Sequence, residues 1–325
     1  MIRSRYDGKY LPNVHIVGKY TSLDFETVEP INPLDGLLKQ THYGAEVVVG
    51  KSFTMSWLQA WVDWLNFDNG RGSTSTSSSR LLNKESIDSM VGVLMMGTDP
   101  SWYTQPLNLV NLYGYGRLGW NTSMTKDDIY QEWLGLTFAT MDEGHKPAAT
   151  ATMRKMLLSS EKIATLLGIY HGYRGVWYEL EGDGSFRSPN SVKHVLTHDG
   201  IGTVETAANE LFEKTGYSPA VQKLYKNHTD PRTEEVLLEF GTFKPSYRLS
   251  NGKTLVEDMI DRPKQGAQDA AALVTAWQGI ESSVRTIDGG HAYFNQTLME
   301  LQAFAVQATQ QSAKIAVAVG KIAKA

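Results

Sequence analysis

Apolar positions follow two rhythms in this chain, and the change comes near residue 105. Upstream they gather in short β-like runs, His15 to Val17, Glu46 to Val49 and Val91 to Met96, each followed by polar or glycine-bearing sequence. Between the second and third runs, Ser56 to Phe67 sets Trp57, Leu58, Trp61, Trp64 and Leu65 on one helical face. The order strand, helix, strand predicts a parallel α/β arrangement. Gly70 to Ser79 has no apolar residue to bury and predicts a low-complexity, mobile loop.

Downstream the spacing becomes helical. Thr125 with Asp128 has the form of a capping box, after which Ile129, Trp133 and Leu136 repeat on one face. Pro263 is expected to open a further helical stretch in which Leu273, Trp277, Ile280 and Val284 recur. The last predicted helix carries Phe294, Leu298, Leu301, Ala305, Ala308, Ser312, Ile315, Val319 and Ile322, alternating steps of four and three. Such a seam asks for a partner helix, either internal or from another subunit. Its many alanines keep it narrow and favour antiparallel packing inside a helical domain.

Composition narrows the function. At 325 residues the chain can bury a large core. Its 31 basic and 35 acidic residues leave a net charge of −4 without long single-sign runs, which argues against nucleic acid and anionic membranes as partners. The absence of cysteine excludes disulfides, thiolate metal sites and cysteine nucleophiles. The opening residues MIRSRYDGKY lack the apolar stretch of a signal peptide, so a cytoplasmic location is the expectation if that start is genuine. Sequons at Asn121, Asn227 and Asn295 then mark polar surface only. Eight Trp and fifteen Tyr suit sugar stacking, although a large core uses the same residues.

Few motifs survive scrutiny. Gly114, Gly116 and Gly119 spell a nucleotide fingerprint, but no strand precedes them and the surrounding sequence reads as helix. His194 and His198 have the spacing of a zinc pair, yet Val195 stands where a hydrolytic glutamate belongs, and a surface or structural pair is the favoured reading. Neither a serine-nucleophile elbow nor a phosphate loop occurs, and no metal or cofactor is expected. What remains is the run Val14 to Val17 discharging into Lys19, Asp24, Glu26 and Glu29 before Pro30 and Pro33, with Glu46 near the next run. A strand ending in clustered charge is how barrel enzymes present acid and base groups, and it is also how a strand meets a solvated acidic loop.

Specific blocks carry a family resemblance. Asp7-Gly-Lys-Tyr, Asn13-Val14, Lys19, Asp24-Phe25, Glu29-Pro30 and Pro33-Leu34 are followed by Leu65 to Asp68, Gly72-Ser73, and Gly97-Thr-Asp99 with Trp102. Asn111-Leu-Tyr-Gly-Tyr-Gly-Arg-Leu-Gly-Trp-Asn121, Glu132-Trp133 and Leu136-Thr-Phe138 continue the pattern, and Gly200-Ile-Gly202, Leu237-Leu238, Tyr247 and Ser250 to Leu255 keep it more loosely. In that order they resemble the α-glucuronidases of glycoside hydrolase family 67. The resemblance implies the terminal strands of a (β/α)8 TIM barrel in residues 1–105 and a large α-helical domain in 106–325. It further implies an inverting hydrolase that removes glucuronic acid, or its 4-O-methyl form, from xylan-derived oligosaccharides.

By the same resemblance Asp24 activates water, Lys19 receives the uronate carboxylate, and Glu29 and Trp102 belong to the substrate-binding set. Ser52 stands where the second water-activating carboxylate is expected, and the family's general acid lies upstream of these residues. Val28, Val204-Glu205 and Gly241-Thr242 replace further polar family positions. A truncated and inactive polypeptide is therefore the expectation, with unpaired strand edges that leave it unstable or associated. Two alternatives are a non-catalytic carbohydrate-binding or self-association module, forming a homodimer through the helical domain, and an unrelated helical scaffold whose resemblance ends near Phe138.

Overall fold

The computed structural model describes residues 9–14, 16–19, 41–47, 62, 87–94, 106–167, 196–201, 234, 238 and 242–324, with the backbone alone for 16–19, 41–47 and 87–94. Strands β1 (Ile16–Lys19), β2 (Thr41–Val47) and β3 (Ile87–Leu94) form one sheet in the order β1-β2-β3. Both pairings are parallel. Ile16 lies opposite Thr41 and Lys19 opposite Gly44, while Val47 lies opposite Leu94, with a register shift between Thr41 and Tyr43. Parallel neighbours need a crossover of a dozen or more residues, and the connections 20–40 and 48–86 supply that length.

All three apolar runs thus mark strands, but β2 and β3 begin earlier than their apolar residues do. Thr41-His-Tyr and Ile87-Asp-Ser enter the ladder because pairing with a neighbour, rather than hydrophobicity, decides where a strand starts. An unrelated helical scaffold would lack this pairing. Of the helix expected over Ser56 to Phe67, Val62 alone is described; it is helical and packs against the helical core. The Gly70 to Ser79 segment lies outside the described residues.

The helical part comprises α1 (Pro106–Trp120), α2 (Lys126–Thr137), α3 (Lys146–Leu167), α4 (Leu255–Gln278), the short α5 (Glu281–Val284) and α6 (Gly290–Lys324), with strand β4 (Leu196–Ile201) between α3 and α4. Helix α2 starts at the expected capping box: the Thr125 hydroxyl accepts from the Asp128 amide at 3.2 Å, and the Asp128 carboxylate accepts from the Thr125 amide at 3.1 Å. Its buried face is Ile129, Tyr130, Trp133 and Leu134, whereas Leu136 is exposed. The core stripe takes adjacent pairs one turn apart, and Leu136 falls off it.

Helix α4 begins eight residues before Pro263. Thr254 and Glu257 form a second reciprocal capping box, and Pro263 sits buried inside the helix instead of opening it. The helix ends at Gln278, so Ile280 and Val284 reach the core from the cap and the body of α5. Gly289, at φ +71°, and Gly290 turn the chain into α6; a Cβ on Gly290 would lie 2.2 Å from the Val284 carbonyl oxygen.

Helix α4 packs along α6 on one side and against α3 on the other. In α6 the buried residues are Gly290, Phe294, Thr297, Leu301, Phe304, Ala308, Gln311, Ile315 and Val319. The expected seam therefore holds at Phe294, Leu301, Ala308, Ile315 and Val319, and differs in the alternate positions. Thr297, Phe304 and Gln311 turn fully inward, while Leu298 and Ala305 lie at the margin of the core.

Aromatic rings knit the layers. Trp277 of α4 stacks on Phe294 of α6 with centroids 5.6 Å apart and planes 12° apart, and its indole N–H donates to the Phe294 carbonyl at 3.1 Å. Tyr293 meets Trp277 edge-on at 5.6 Å and Phe138 at 5.9 Å, and Phe138 meets Trp133 at 6.2 Å. Core packing thus accounts for much of the aromatic content of the described residues. Beside them, Leu196 of β4 bridges to Phe243, and a Cβ on Gly200 would fall 2.5 Å from the Phe243 carbonyl carbon, so only glycine permits this approach. Among the described residues no helix is long and apolar enough to cross a membrane.

Candidate functional site

Parallel pairing brings the carboxyl ends of β1, β2 and β3 to one edge of the sheet, at Lys19, Val47 and Leu94. Lys19 is the last residue of its strand, the position from which a charged group reaches the space beyond a parallel sheet. Asp24 and Glu29 follow β1 in the chain, Ser52 follows β2, and Trp102 follows β3. These four lie outside the described residues, as do Glu26 and Val28. Glu46 falls within β2, opposite Val93.

A second polar constellation joins α1 to α2. Tyr113 and Arg117 are one helical turn apart, so both reach the same partner, Glu132. The Arg117 guanidinium donates from Nε to Glu132 Oε2 at 2.8 Å and from Nη2 to Oε1 at 3.0 Å, a two-pronged pairing that Lys could not make. The Tyr113 hydroxyl adds a bond to Oε2 at 3.0 Å. Donation from Arg117 holds the Glu132 carboxyl below its ordinary value, and Glu132 in turn raises Arg117. Burial, then Glu132, pushes the Tyr113 phenol up. Both members of the pair are thus ionised and satisfied by each other. The sequence reading marked these residues as part of a family-like block but gave them no role. Gly114, Gly116 and Gly119 all sit inside α1, so the nucleotide fingerprint lacks its strand-to-helix turn.

A third cluster escaped the sequence reading. Buried Glu234 accepts from the Tyr247 hydroxyl at 3.2 Å, from the Ser250 amide at 3.0 Å and from the Ser250 hydroxyl at 2.7 Å. Burial, reinforced by this carboxylate, raises the Tyr247 phenol far above its ordinary value. With its lone pairs so engaged, Glu234 is a clasp that fixes the turn leading into α4. Only tertiary proximity reveals it, because Glu234 and Ser250 lie sixteen residues apart in a polar stretch.

His198 is also structural. Its Nε2 lies 2.7 Å from the Ile322 carbonyl oxygen, which can only accept, so the ring donates to one of the last carbonyls of α6. His194 lies outside the described residues. Among the described residues no group of three or more His, Asp or Glu side chains could hold a metal ion.

Comparison with known proteins gives a consistent pattern along the chain. The family model described as "Glycosyl hydrolase family 67 middle domain" matches residues 3–102, and that described as "Glycosyl hydrolase family 67 C-terminus" matches residues 103–314. The second match runs far past Phe138, which overturns the alternative in which the resemblance stops there. Among curated relatives, a probable alpha-glucuronidase A of Aspergillus clavatus is 28% identical over 304 residues, covering 86% of this chain and 34% of its own length. Alpha-glucuronidase A of Emericella nidulans is 28% identical over 299 residues, with the same coverage. The chain spans about a third of the length of these relatives. With one family model following the other along nearly all of its residues, the chain belongs to glycosyl hydrolase family 67.

Proposed function

We propose that residues 1–105 form the closing strands of a (β/α)8 barrel, that 106–325 form its helical companion domain, and that the chemistry is α-glucuronidase chemistry. The reaction is inverting removal of glucuronic acid, or its 4-O-methyl form, α-1,2-linked to xylose in xylan oligosaccharides. The observation that carries this reading is the serial match of the two family 67 models along 3–102 and 103–314. The position of Lys19 at the carboxyl end of a parallel strand supports it, because barrel enzymes assemble their sites at those ends.

In this mechanism Lys19 pairs with the uronate carboxylate, Asp24 takes a proton from the attacking water, and Glu29 and Trp102 hold the sugar. Inversion needs a second carboxylic acid to protonate the leaving oxygen. These 325 residues hold no counterpart of the family's general acid, and Ser52 replaces the partner of Asp24. The chain by itself is thus expected to bind glucuronosylated xylo-oligosaccharide and to turn it over at a rate lower by about 100- to 10,000-fold, the usual worth of a positioned acid. Incubation with aldouronic acids tests this. Trace release of glucuronic acid that disappears in Asp24→Asn supports both assignments. Release that Asp24→Asn leaves intact removes Asp24 from its role, and release at a rate typical of glycosidases removes the proposal that the acid is missing.

A second reading, self-association through the helical domain, draws on the outer face of α6. Met299, Val306 and Val317 are 69%, 56% and 58% exposed, on a helix whose opposite face is already packed. A second copy of this chain would cover such a face. Sedimentation velocity at micromolar concentration is expected to give a dimer that Val306→Glu dissociates; a wild-type monomer would discard the idea.

A further inference from the structure

Apolar surface lies uncovered beside ordered polar groups on the α1–α2 pair. Trp120, the last residue of α1, is 87% exposed, more than any other large hydrophobic among the described residues. The helical repeat sets it above Gly116, four residues back, and in line with Arg117 and Tyr113, three and seven back. A Cβ on Gly116 would meet nothing within 4 Å, so access to the indole along the helix is open. From α2 come Glu132, clamped by Arg117 and Tyr113, and Leu136, 67% exposed.

Two properties of this surface select its occupant. A flat, accessible indole flanked by groups that donate and accept hydrogen bonds matches a pyranose, which presents a C–H face to the ring and hydroxyls to its rim. The charges of Arg117 and Glu132 satisfy each other, so the surface offers polar contacts without a cation reserved for an anion. A uronate gains little there, whereas a neutral sugar forgoes nothing. We infer that the α1–α2 surface centred on Trp120 binds a neutral β-linked xylose chain. The choice of xylose rests on the proposed function; the sugar-binding character of the surface does not.

Affinity electrophoresis of the full chain through a gel containing soluble neutral arabinoxylan, against a blank gel, tests the inference without requiring turnover. The expected result is retardation that falls by about tenfold in apparent affinity in Trp120→Ala, the worth of one stacked ring, and is largely kept in Trp120→Phe. Circular dichroism verifies that both variants are folded. Asp24→Asn is expected to be retarded like wild type, which separates this site from the proposed chemistry. Equal migration of wild type in the two gels, retardation unchanged in Trp120→Ala, or retardation only in glucuronic-acid-bearing xylan would each overturn the inference. So would a dimer in sedimentation that Trp120→Ala dissociates, since the face would then belong to a second copy.

Discussion

Trp277 is fully buried, stacks on Phe294 and donates its indole N–H to the carbonyl of that same residue, so one side chain ties α4 to α6 by both area and hydrogen bond. Trp277→Ala is expected to cost about 3–5 kcal/mol in urea unfolding, since the lost area is compounded by a cavity that rigid neighbours do not fill. Trp277→Phe keeps the ring contact and should cost clearly less; an equal cost would show that the hydrogen bond dominates. Acid acts on a different set of residues. Glu132, Asp128 and Glu257 are all held below the ordinary carboxyl range, by Arg117, by the Thr125 hydroxyl and by the Thr254 amide respectively. A carboxyl depressed in the folded state contributes stability that is complete above its unfolded-state value and drains away as pH falls through the folded-state value. The urea midpoint is therefore expected to hold level near neutrality and to decline below about pH 4.5, where free carboxyls begin to protonate. In Glu132→Gln the decline should be shallower, and an unchanged acid limb would remove Glu132 from the cause.

The crossing of α3 and α4 depends on one missing side chain. A Cβ on Gly266 would lie 2.9 Å from Leu167 Cγ and 3.1 Å from Leu166 Cβ, atoms near the backbone that cannot swing aside. Gly266→Val is expected to destabilise by about 1–3 kcal/mol through overpacking, read as a lower urea midpoint with an unchanged slope. Pro263, one turn earlier, acts in the opposite sense, since an interior proline forfeits the amide bond to Met259 and crowds its carbonyl. Pro263→Ala should raise the midpoint, by roughly 1 kcal/mol once the regained chain entropy of the unfolded state is set against the helix gain of about 3. Reading Pro263 as a helix start gave that single residue more authority than the Thr254–Glu257 box, which lies eight residues upstream and is the stronger signal. Helix α6 carries a related lesson. Heptad spacing from Phe294 was legible, but the alternate row was assigned to Leu298 and Ala305 because they are apolar, whereas geometry buries Thr297 and Gln311. A straight helix of 3.6 residues per turn drifts against a seven-residue repeat, and the buried row reaches the expected Val319 only in the last turns.

At the scale of the whole molecule the two halves were legible to different degrees. The parallel sheet could be anticipated because short apolar runs bounded by polar segments have few alternatives, and the helical half because its periodicity is long and sustained. Lys19 at a strand end followed from the run before it, whereas the Glu234 clasp and the Arg117–Glu132 pair depend on which surfaces meet, a property no local pattern encodes. That distribution has a physical consequence. The buried hydrophobic cluster is drawn from Leu107 through Val319, with Val62 the sole described contributor from upstream of α1, and then only at the margin. A core so nearly complete within one stretch should hold without the sheet. Residues 106–325 expressed alone are expected to keep the helical circular dichroism calculated for that part of the full chain and to unfold in urea as one cooperative transition, with near-ultraviolet signals from the Trp133–Phe138–Tyr293–Trp277 array intact. A broad, non-cooperative transition with those signals lost would mean that the helical layer is completed by the residues before it, and that the proposed boundary near 105 divides one folding unit instead of two.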